Sequence, residues 1–153
     1  MTLLSETYVP ATATAESHAP KAPPMSAPAK WIGRISAGLA IAFLGFDTAM
    51  KVLRLPLAVE GTVQLGFPAG SVLWIGLVEA ALLVLYVVPR TTPLGAVLWT
   101  GYLGGAIATH VRLGNPLFSH QLFPIYVAVL LWLPLWLRDV RVRELLQPMA
   151  RRS

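Results

Sequence analysis

Cysteine is absent from the 153-residue sequence, and charged residues are scarce. The lack of cysteine excludes disulfides, thiolate chemistry and cysteine-based zinc or iron–sulfur sites. Charged residues make up 12% of the chain, about half the fraction that is usual in soluble domains. In contrast, 56% of the residues are hydrophobic and the mean hydropathy is +0.64. The composition therefore predicts a membrane protein.

Nucleic-acid binding is also disfavoured, although the net charge is +5. The basic residues lie between apolar runs and near the C-terminal end, and none of the runs forms a basic helix long enough to bind DNA. The sequence contains no phosphate-binding loop, dinucleotide fingerprint or Ser-His-Asp order. We expect the lysines and arginines to orient the chain in a bilayer.

The first 29 residues are rich in Ala, Pro, Ser and Thr. Such a segment cannot bury enough apolar surface to offset its ordering entropy. It also lacks the charged and apolar regions of a secretory signal, so we expect no cleavage. We predict a disordered cytoplasmic tail at 1–29 and a basic cytoplasmic tail at 140–153.

Four apolar runs in residues 30–139 are long enough to cross roughly 30 Å of hydrocarbon as helices. We predict an all-α fold, a four-helix antiparallel transmembrane bundle. The very short turn that contains Pro89 and Pro93 makes its two flanking helices antiparallel neighbours. Pro124 and Pro134 predict a kink or a late start in the last helix. The predicted spans are about 31–50, 70–88, 92–111 and 117–137.

The link at 52–69 is too short and too polar to span. Pro56 can open a short helix and Gly66 can close it, so we predict an interfacial helix here.

The distribution of lysine and arginine predicts that both termini are cytoplasmic. Four spans place nine basic residues on the side of the termini: Lys21, Lys30, Arg34, Arg90, Arg138, Arg141, Arg143, Arg151 and Arg152. The other side has only Lys51, Arg54 and Arg112.

The stretch YLGGAIATHVR at 102–112 is the end of the third predicted span. Gly101 and Gly105 are four residues apart, as are Gly104 and Ala108, a spacing that lets a neighbouring helix approach closely. We expect Gly105 to lie in such a contact, where leucine would overpack it.

The predicted topology gathers the polar side chains at the outer ends of the spans. Glu79, Tyr102 and Tyr126 lie deeper, at a similar level roughly 13–15 Å from those ends. We expect a funnel with a polar mouth and one carboxyl group and two phenols below. The polar residues at the mouth are Asp47, Lys51, His110, Arg112, Asn115, His120 and Gln121.

Glu79 and Asp47 are the candidate acid/base residues, since an acidic residue inside a bilayer is often functional. Alternatively, Glu79 is a neutral acid that locks helix packing through Tyr102 or Trp99. The predicted depth of Glu79 in the bilayer argues against an ion pair with Lys51 or Arg112, because the backbone of both residues lies near the outer ends of the spans.

The remaining candidates bind substrate: Lys51, Tyr102, His110, Arg112, His120 and Tyr126. Asp47 and Lys51 share a helix face at i,i+4 spacing. They form part of an ion network that binds substrate or, alternatively, a salt bridge at the membrane interface. Arg112 holds an anion, a quinone carbonyl or a lipid phosphate, or pairs with Asp47. His110, His120 and Asp47 suit zinc or iron, but no HxxxH or HExxH spacing supports a metal. We expect no metal and no tightly bound cofactor.

The chain resembles the DoxX-like family over about residues 31–146. The resemblance rests on GFDTAMKVLRLPLAVEGTVQLGFP, IGLVEAALLVLYVVPRT, LGAVLWTGYLGGAIATHVRLGNPLF and the WLRDVRVRELL tail. It implies a small four-helix protein of the bacterial inner membrane, with Asp47, Lys51, Glu79, His110 and Arg112 at the family's usual polar positions. The family name comes from a small subunit of a thiosulfate:quinone oxidoreductase, but most relatives have no assigned activity, so the resemblance implies fold more than function.

Three functions remain open. The first is a small-molecule-binding or accessory subunit linked to quinone or redox chemistry, with an outward-facing polar pocket and a possible partner membrane subunit. The second is an intramembrane enzyme, of isomerase or cyclase type, that uses Glu79 or Asp47 as general acid/base on a lipophilic substrate. The third is a structural or assembly protein.

Overall fold

The structure, a computed structural model, describes residues 26–138 and Val142, and these residues are mostly helical. It contains the helices α1 (Ala27–Val52), α2 (Pro56–Gln64), α3 (Ser71–Val87), α4 (Thr92–Arg112) and α5 (Phe123–Arg138). No strand occurs in this part of the chain, so the all-α prediction is confirmed. The predicted tails lie outside the described residues, except for 26–29 and Val142.

Prolines define where several helices begin. α1 begins at Ala27, inside the predicted tail, with Pro28 in its first turn. α2 begins at Pro56 and α4 has Pro93 in its first turn. Proline is tolerated there because the first turn of a helix does not use its backbone N–H groups. Before α5, the chain makes a short π-helical turn, Leu117–Gln121.

Two segments are long and apolar enough to cross a membrane, Ala27–Val52 and Leu117–Arg138, and α3 is a shorter apolar helix. Large apolar side chains also cover the outside of the structure. Trp31, Phe46, Trp74 and Phe118 are 62%, 64%, 70% and 74% exposed. An apolar surface of this kind suits lipid rather than water. Together these features indicate a membrane protein.

The core lies between four helices. α1 packs against α3 and α5, and α4 packs against the same two helices, while α2 touches α1 and α3. Trp99 and Leu131 are fully buried at the centre. The buried cluster comprises Ala40, Leu44, Tyr86, Ala96, Trp99, Leu103, Val127, Leu131, Leu135 and Val142.

The close helix contacts occur at glycines other than the predicted ones. A Cβ on Gly95 would lie 2.5 Å from Tyr86 N, and one on Gly76 would lie 2.9 Å from Val52 N. In contrast, a Cβ on Gly101, Gly104 or Gly105 would meet no neighbour within 4 Å in the described part of the chain. The prediction of close packing at Gly105 was therefore wrong, because this face of α4 is exposed.

Pro134 lies inside α5, where it cannot donate a backbone hydrogen bond to the carbonyl of Leu130. The Ser36 hydroxyl of α1 donates to that carbonyl instead, at 2.9 Å. The Tyr86 hydroxyl of α3 donates to the next carbonyl, that of Leu131, at 2.9 Å. Side chains from two helices thus satisfy backbone groups near the proline.

Candidate functional site

A cluster of charged and phenolic side chains joins α1, α3 and α4. Lys51 Nζ lies 2.5 Å from Asp47 Oδ2 and 2.5 Å from Glu79 Oε1. The Tyr102 hydroxyl donates a hydrogen bond to the same Glu79 oxygen. We call Asp47, Lys51, Glu79 and Tyr102 the ionic cluster. Its ammonium group is shared between two carboxylates.

The expectation that depth keeps lysine away from Glu79 was wrong. Asp47 and Lys51 share one face of α1, as their i,i+4 spacing predicts. At Gly76 the backbones of α1 and α3 come close, and Glu79 is one turn further along α3. The long lysine stem can therefore carry its ammonium group inwards to the carboxylate.

The ionic cluster runs from the interior to the surface. Glu79 is fully buried, the Lys51 side chain is 18% exposed, and the Asp47 side chain is 31% exposed. Glu79 Oε2 has no hydrogen-bond partner in the described part of the chain. The charge on Lys51 is therefore balanced by one buried and one accessible carboxylate.

Two cavities adjoin the ionic cluster at the same end of the helices. The apolar cavity has a volume of about 390 Å³ and the polar cavity about 400 Å³. Both are bounded by Lys51, Thr62, Leu65 and His110. The apolar cavity is further lined by Phe67, Ile75, Gly101, Tyr102, Gly105, Ala106 and Thr109. The polar cavity is further lined by Asp47, Met50, Leu57, Ala58, Gly61, Gln64, Asn115 and His120.

Gly101 and Gly105 form part of the wall of the apolar cavity. Both are exposed, and neither has a side chain to occupy the space beside α4. Tyr102 and Lys51 of the ionic cluster line the same cavity. Part of the lining of the apolar cavity is thus formed by Gly101 and Gly105, which we call the glycine wall. Another part is formed by Lys51 and Tyr102 of the ionic cluster.

Arg112 forms a hydrogen bond with the C-terminal end of α2. Its Nη2 donates to the Leu65 carbonyl at 2.9 Å and lies against Gly66, whose φ of 84° is in the left-handed region. Within residues 26–138, no ion pair joins Arg112 to Asp47. The predicted Asp47–Arg112 pair is therefore absent from the described residues, because Arg112 points towards α2 instead.

The two histidines meet at the polar cavity. The rings of His110 and His120 are 5.5 Å apart and roughly edge to face. His110 Nδ1 lies 2.8 Å from Asn115 Nδ2, and His120 Nδ1 lies 2.8 Å from Ser119 Oγ. In the described part of the chain, no group of three or more histidine, aspartate or glutamate side chains could hold a metal ion.

Tyr126 does not join the other predicted site residues. It is 49% exposed and is not among the residues that line the two cavities. The inward face of α5 carries Pro124, Val127 and Leu131, so Tyr126 falls on its outer face. Of the two phenols expected below the mouth, only Tyr102 reaches Glu79.

Sequence reasoning missed the contribution of α2 and its flanks to the cavities. Thr62 and Leu65 line both, and Phe67 lines the apolar one. The polar interruptions of this apolar segment predicted an interfacial helix, but they give no indication of which side faces the bundle. Gly101 and Gly105 were singled out, though as packing residues.

Residues 35–133 match the profile of the DoxX-like family. The match covers well over half of the chain and confirms the resemblance drawn from the sequence. Comparisons with curated proteins and with solved structures give no match.

Proposed function

The chain belongs to the DoxX-like family, and from this membership and the two cavities we propose that it is a four-span membrane protein that binds a small lipophilic molecule. The apolar cavity would hold the body of the molecule, and Lys51 would contact its polar end. Under this proposal the protein lies in the bacterial inner membrane with both termini in the cytoplasm.

Contacts between the helices support four antiparallel spans. Each neighbouring pair makes two contacts whose order along the chain is reversed, which requires helices that run in opposite directions. Gly76 lies beside Lys51 whereas Gly45 lies beside Leu83, so α1 and α3 are antiparallel. For α3 and α4, the reversed contacts are Gly95–Tyr86 and Tyr102–Glu79. For α4 and the segment 117–138, they are Thr100–Trp132 and His110–His120. For α1 and α5, they are Gly33–Pro134 and Ser36–Leu130.

Helix lengths agree with this arrangement. The 21 residues of α4 extend about 31 Å at 1.5 Å per residue, close to the thickness of the hydrocarbon core. The 17 residues of α3 extend about 26 Å, which small local adjustments of the bilayer can accommodate. The excess of lysine and arginine beside the termini supports the cytoplasmic orientation.

The observation that carries the binding proposal is the apolar cavity beside the ionic cluster. Its volume of about 390 Å³ falls in the range of small-molecule sites, about 300–1,000 Å³. Such sites combine mostly apolar walls with a few polar groups that orient the ligand. The lining of this cavity fits that description, since Phe67 and Ile75 are apolar and Lys51 carries a polar group.

The glycine wall suggests how a lipophilic molecule enters. Gly101 and Gly105 line the cavity and are exposed, so the cavity is open beside α4. A molecule dissolved in the bilayer could pass beside them without displacing a side chain. A quinone belongs to this class of molecule, and redox chemistry on it would then involve a partner membrane subunit.

An intramembrane enzyme is the second candidate, and one observation favours it. Tyr102 and Lys51 line the apolar cavity and both contact Glu79. A proton could therefore pass between the cavity and Glu79 through either side chain, so that Glu79 or Asp47 supplies general acid/base chemistry. Recovery of a chemically altered ligand after incubation with the purified protein would favour this candidate over simple binding.

Filling the cavity tests the proposal. Gly105→Leu places a side chain in the wall, and a Cβ at this position meets no neighbour within 4 Å, so we expect the variant to fold. Gly104→Leu is the matched control, because Gly104 is equally open but is not among the residues that line the apolar cavity. Native mass spectrometry should find a co-purifying lipophilic molecule on the wild type and on Gly104→Leu, but not on Gly105→Leu. Equal occupancy of all three would contradict the proposal.

A further inference from the structure

We infer that the apolar cavity selects a ligand whose polar end is an uncharged hydrogen-bond acceptor, such as a ketone carbonyl, and rejects anionic headgroups. The inference rests on the proposed binding function, since it concerns the ligand of the same cavity. It follows from the hydrogen bonds and charges of the polar residues that line the cavity.

The hydroxyl groups that line the apolar cavity already donate their protons within the protein. Tyr102 donates to Glu79, Thr62 donates to the Ala58 carbonyl, and Thr109 donates to the Gly105 carbonyl. Each hydroxyl has only one proton to donate. None of the three can therefore donate to a ligand without breaking an existing bond.

Lys51 still has a donor available. Its ammonium group carries three N–H bonds, of which two face Asp47 and Glu79. The third has no partner among residues 26–138, and Lys51 lines the cavity. His110 lines the same cavity, and a neutral imidazole whose Nδ1 accepts from the Asn115 amide carries its proton on Nε2. Both available groups call for an acceptor on the ligand.

The Lys51 ammonium group already contacts two carboxyl groups. A headgroup that contacts Nζ comes close to two carboxylate oxygens, each 2.5 Å from the same nitrogen. An anion would be attracted by one ammonium group and repelled by two carboxylates in a region of low dielectric constant. Arg112 donates to the Leu65 carbonyl and is not among the residues that line the cavity. A neutral carbonyl avoids the repulsion and keeps the hydrogen bond, so selectivity arises from repulsion of the wrong ligand.

Three probes with the same undecyl chain test the inference: methyl undecyl ketone, undecyl sulfonate and undecyltrimethylammonium. Their affinities for the full-length protein in nanodiscs are measured by native mass spectrometry, with binding to empty nanodiscs subtracted. We expect the ketone to bind at least about tenfold more tightly than the sulfonate, which corresponds to about 1.4 kcal/mol. The trimethylammonium probe cannot accept a hydrogen bond, and we expect it to bind more weakly than the ketone.

Variants separate this inference from the proposed function. Asp47→Asn removes one of the two repelling charges, so the gap between the ketone and the sulfonate should narrow. Tighter binding of the sulfonate that Gly105→Leu abolishes and Gly104→Leu preserves would overturn the headgroup inference and leave the binding site intact. Probe binding that is the same in Gly105→Leu and Gly104→Leu would overturn both the inference and the proposed function.

Discussion

Lys51 and Glu79 form an ion pair between α1 and α3, with Nζ and Oε1 2.5 Å apart although the residues are 28 positions apart in sequence. Glu79 is fully buried, whereas Lys51 also contacts the more accessible Asp47. Among the described residues, Glu79 therefore has Lys51 as its one ion-pair partner, whereas Lys51 has both Glu79 and Asp47.

The first prediction concerns this asymmetry. Lys51→Met should destabilise the protein by about 3–5 kcal/mol, because it leaves the Glu79 carboxylate buried without a counter-charge. Glu79→Gln should cost less, about 1–3 kcal/mol, since Lys51 keeps Asp47 and the amide can still accept from Tyr102. Unfolding in detergent, followed by circular dichroism, measures both. The double variant should have a higher free energy of unfolding than Lys51→Met alone. If its loss of unfolding free energy equals the sum of the losses in the two single variants, the pairing is contradicted.

The second prediction concerns the contact between α3 and α4. Gly95→Ala should cost about 1–3 kcal/mol as overpacking, because the new Cβ would lie 2.5 Å from Tyr86 N and 2.6 Å from Tyr86 Cα. Gly104→Ala meets no neighbour and should be neutral or slightly stabilising, since alanine favours helix more than glycine does. Melting temperatures in one detergent compare the two, and equal values would contradict the close approach.

The third prediction concerns the hydrogen bond that compensates for Pro134. Ser36→Ala leaves the Leu130 carbonyl without its side-chain donor and should cost about 1–3 kcal/mol. In a Pro134→Ala background, the restored N–H can donate to Leu130, so the same serine substitution should cost much less. A double-mutant cycle gives the coupling energy, and a value near zero would show that Ser36 acts independently of the proline.

The fourth prediction concerns orientation, and the lack of cysteine makes it simple to test. An impermeant maleimide should label Glu60→Cys in cells with a permeabilised outer membrane, because Glu60 is exposed on α2. Ser153→Cys should be labelled only after the inner membrane is opened, as the excess of basic residues beside the termini predicts. The reverse pattern of labelling would overturn the proposed topology.

Sequence alone predicted the helices well and the site in part. Apolar runs bounded by prolines indicated the α-helices, and i,i+4 spacing placed Asp47 and Lys51 on one face. Spacing along a helix does not say which face is covered, so Gly101 and Gly105 were taken for packing residues although they line a cavity. Likewise, depth along each helix placed Lys51 away from Glu79, because it takes no account of the close approach at Gly76 or of the length of a lysine side chain.

Tyr126 illustrates the same limit. Its distance from the outer end of the predicted span 117–137 matches that of Tyr102 from the end of the predicted span 92–111, yet Tyr126 lies on the outer face of α5. Only the packing of neighbouring helices distinguishes the two phenols.

The most direct test of ligand binding in the apolar cavity is photolabelling with an alkyl ketone that carries a diazirine on its chain. Thr62 is buried and lines both cavities, so a probe that labels its side chain has entered one of them. We predict that labelling concentrates on Thr62, is competed by methyl undecyl ketone, and is lost in Gly105→Leu but retained in Gly104→Leu. Labelling spread over the exposed faces of α1 and α5, with no difference between the two variants, would contradict the account.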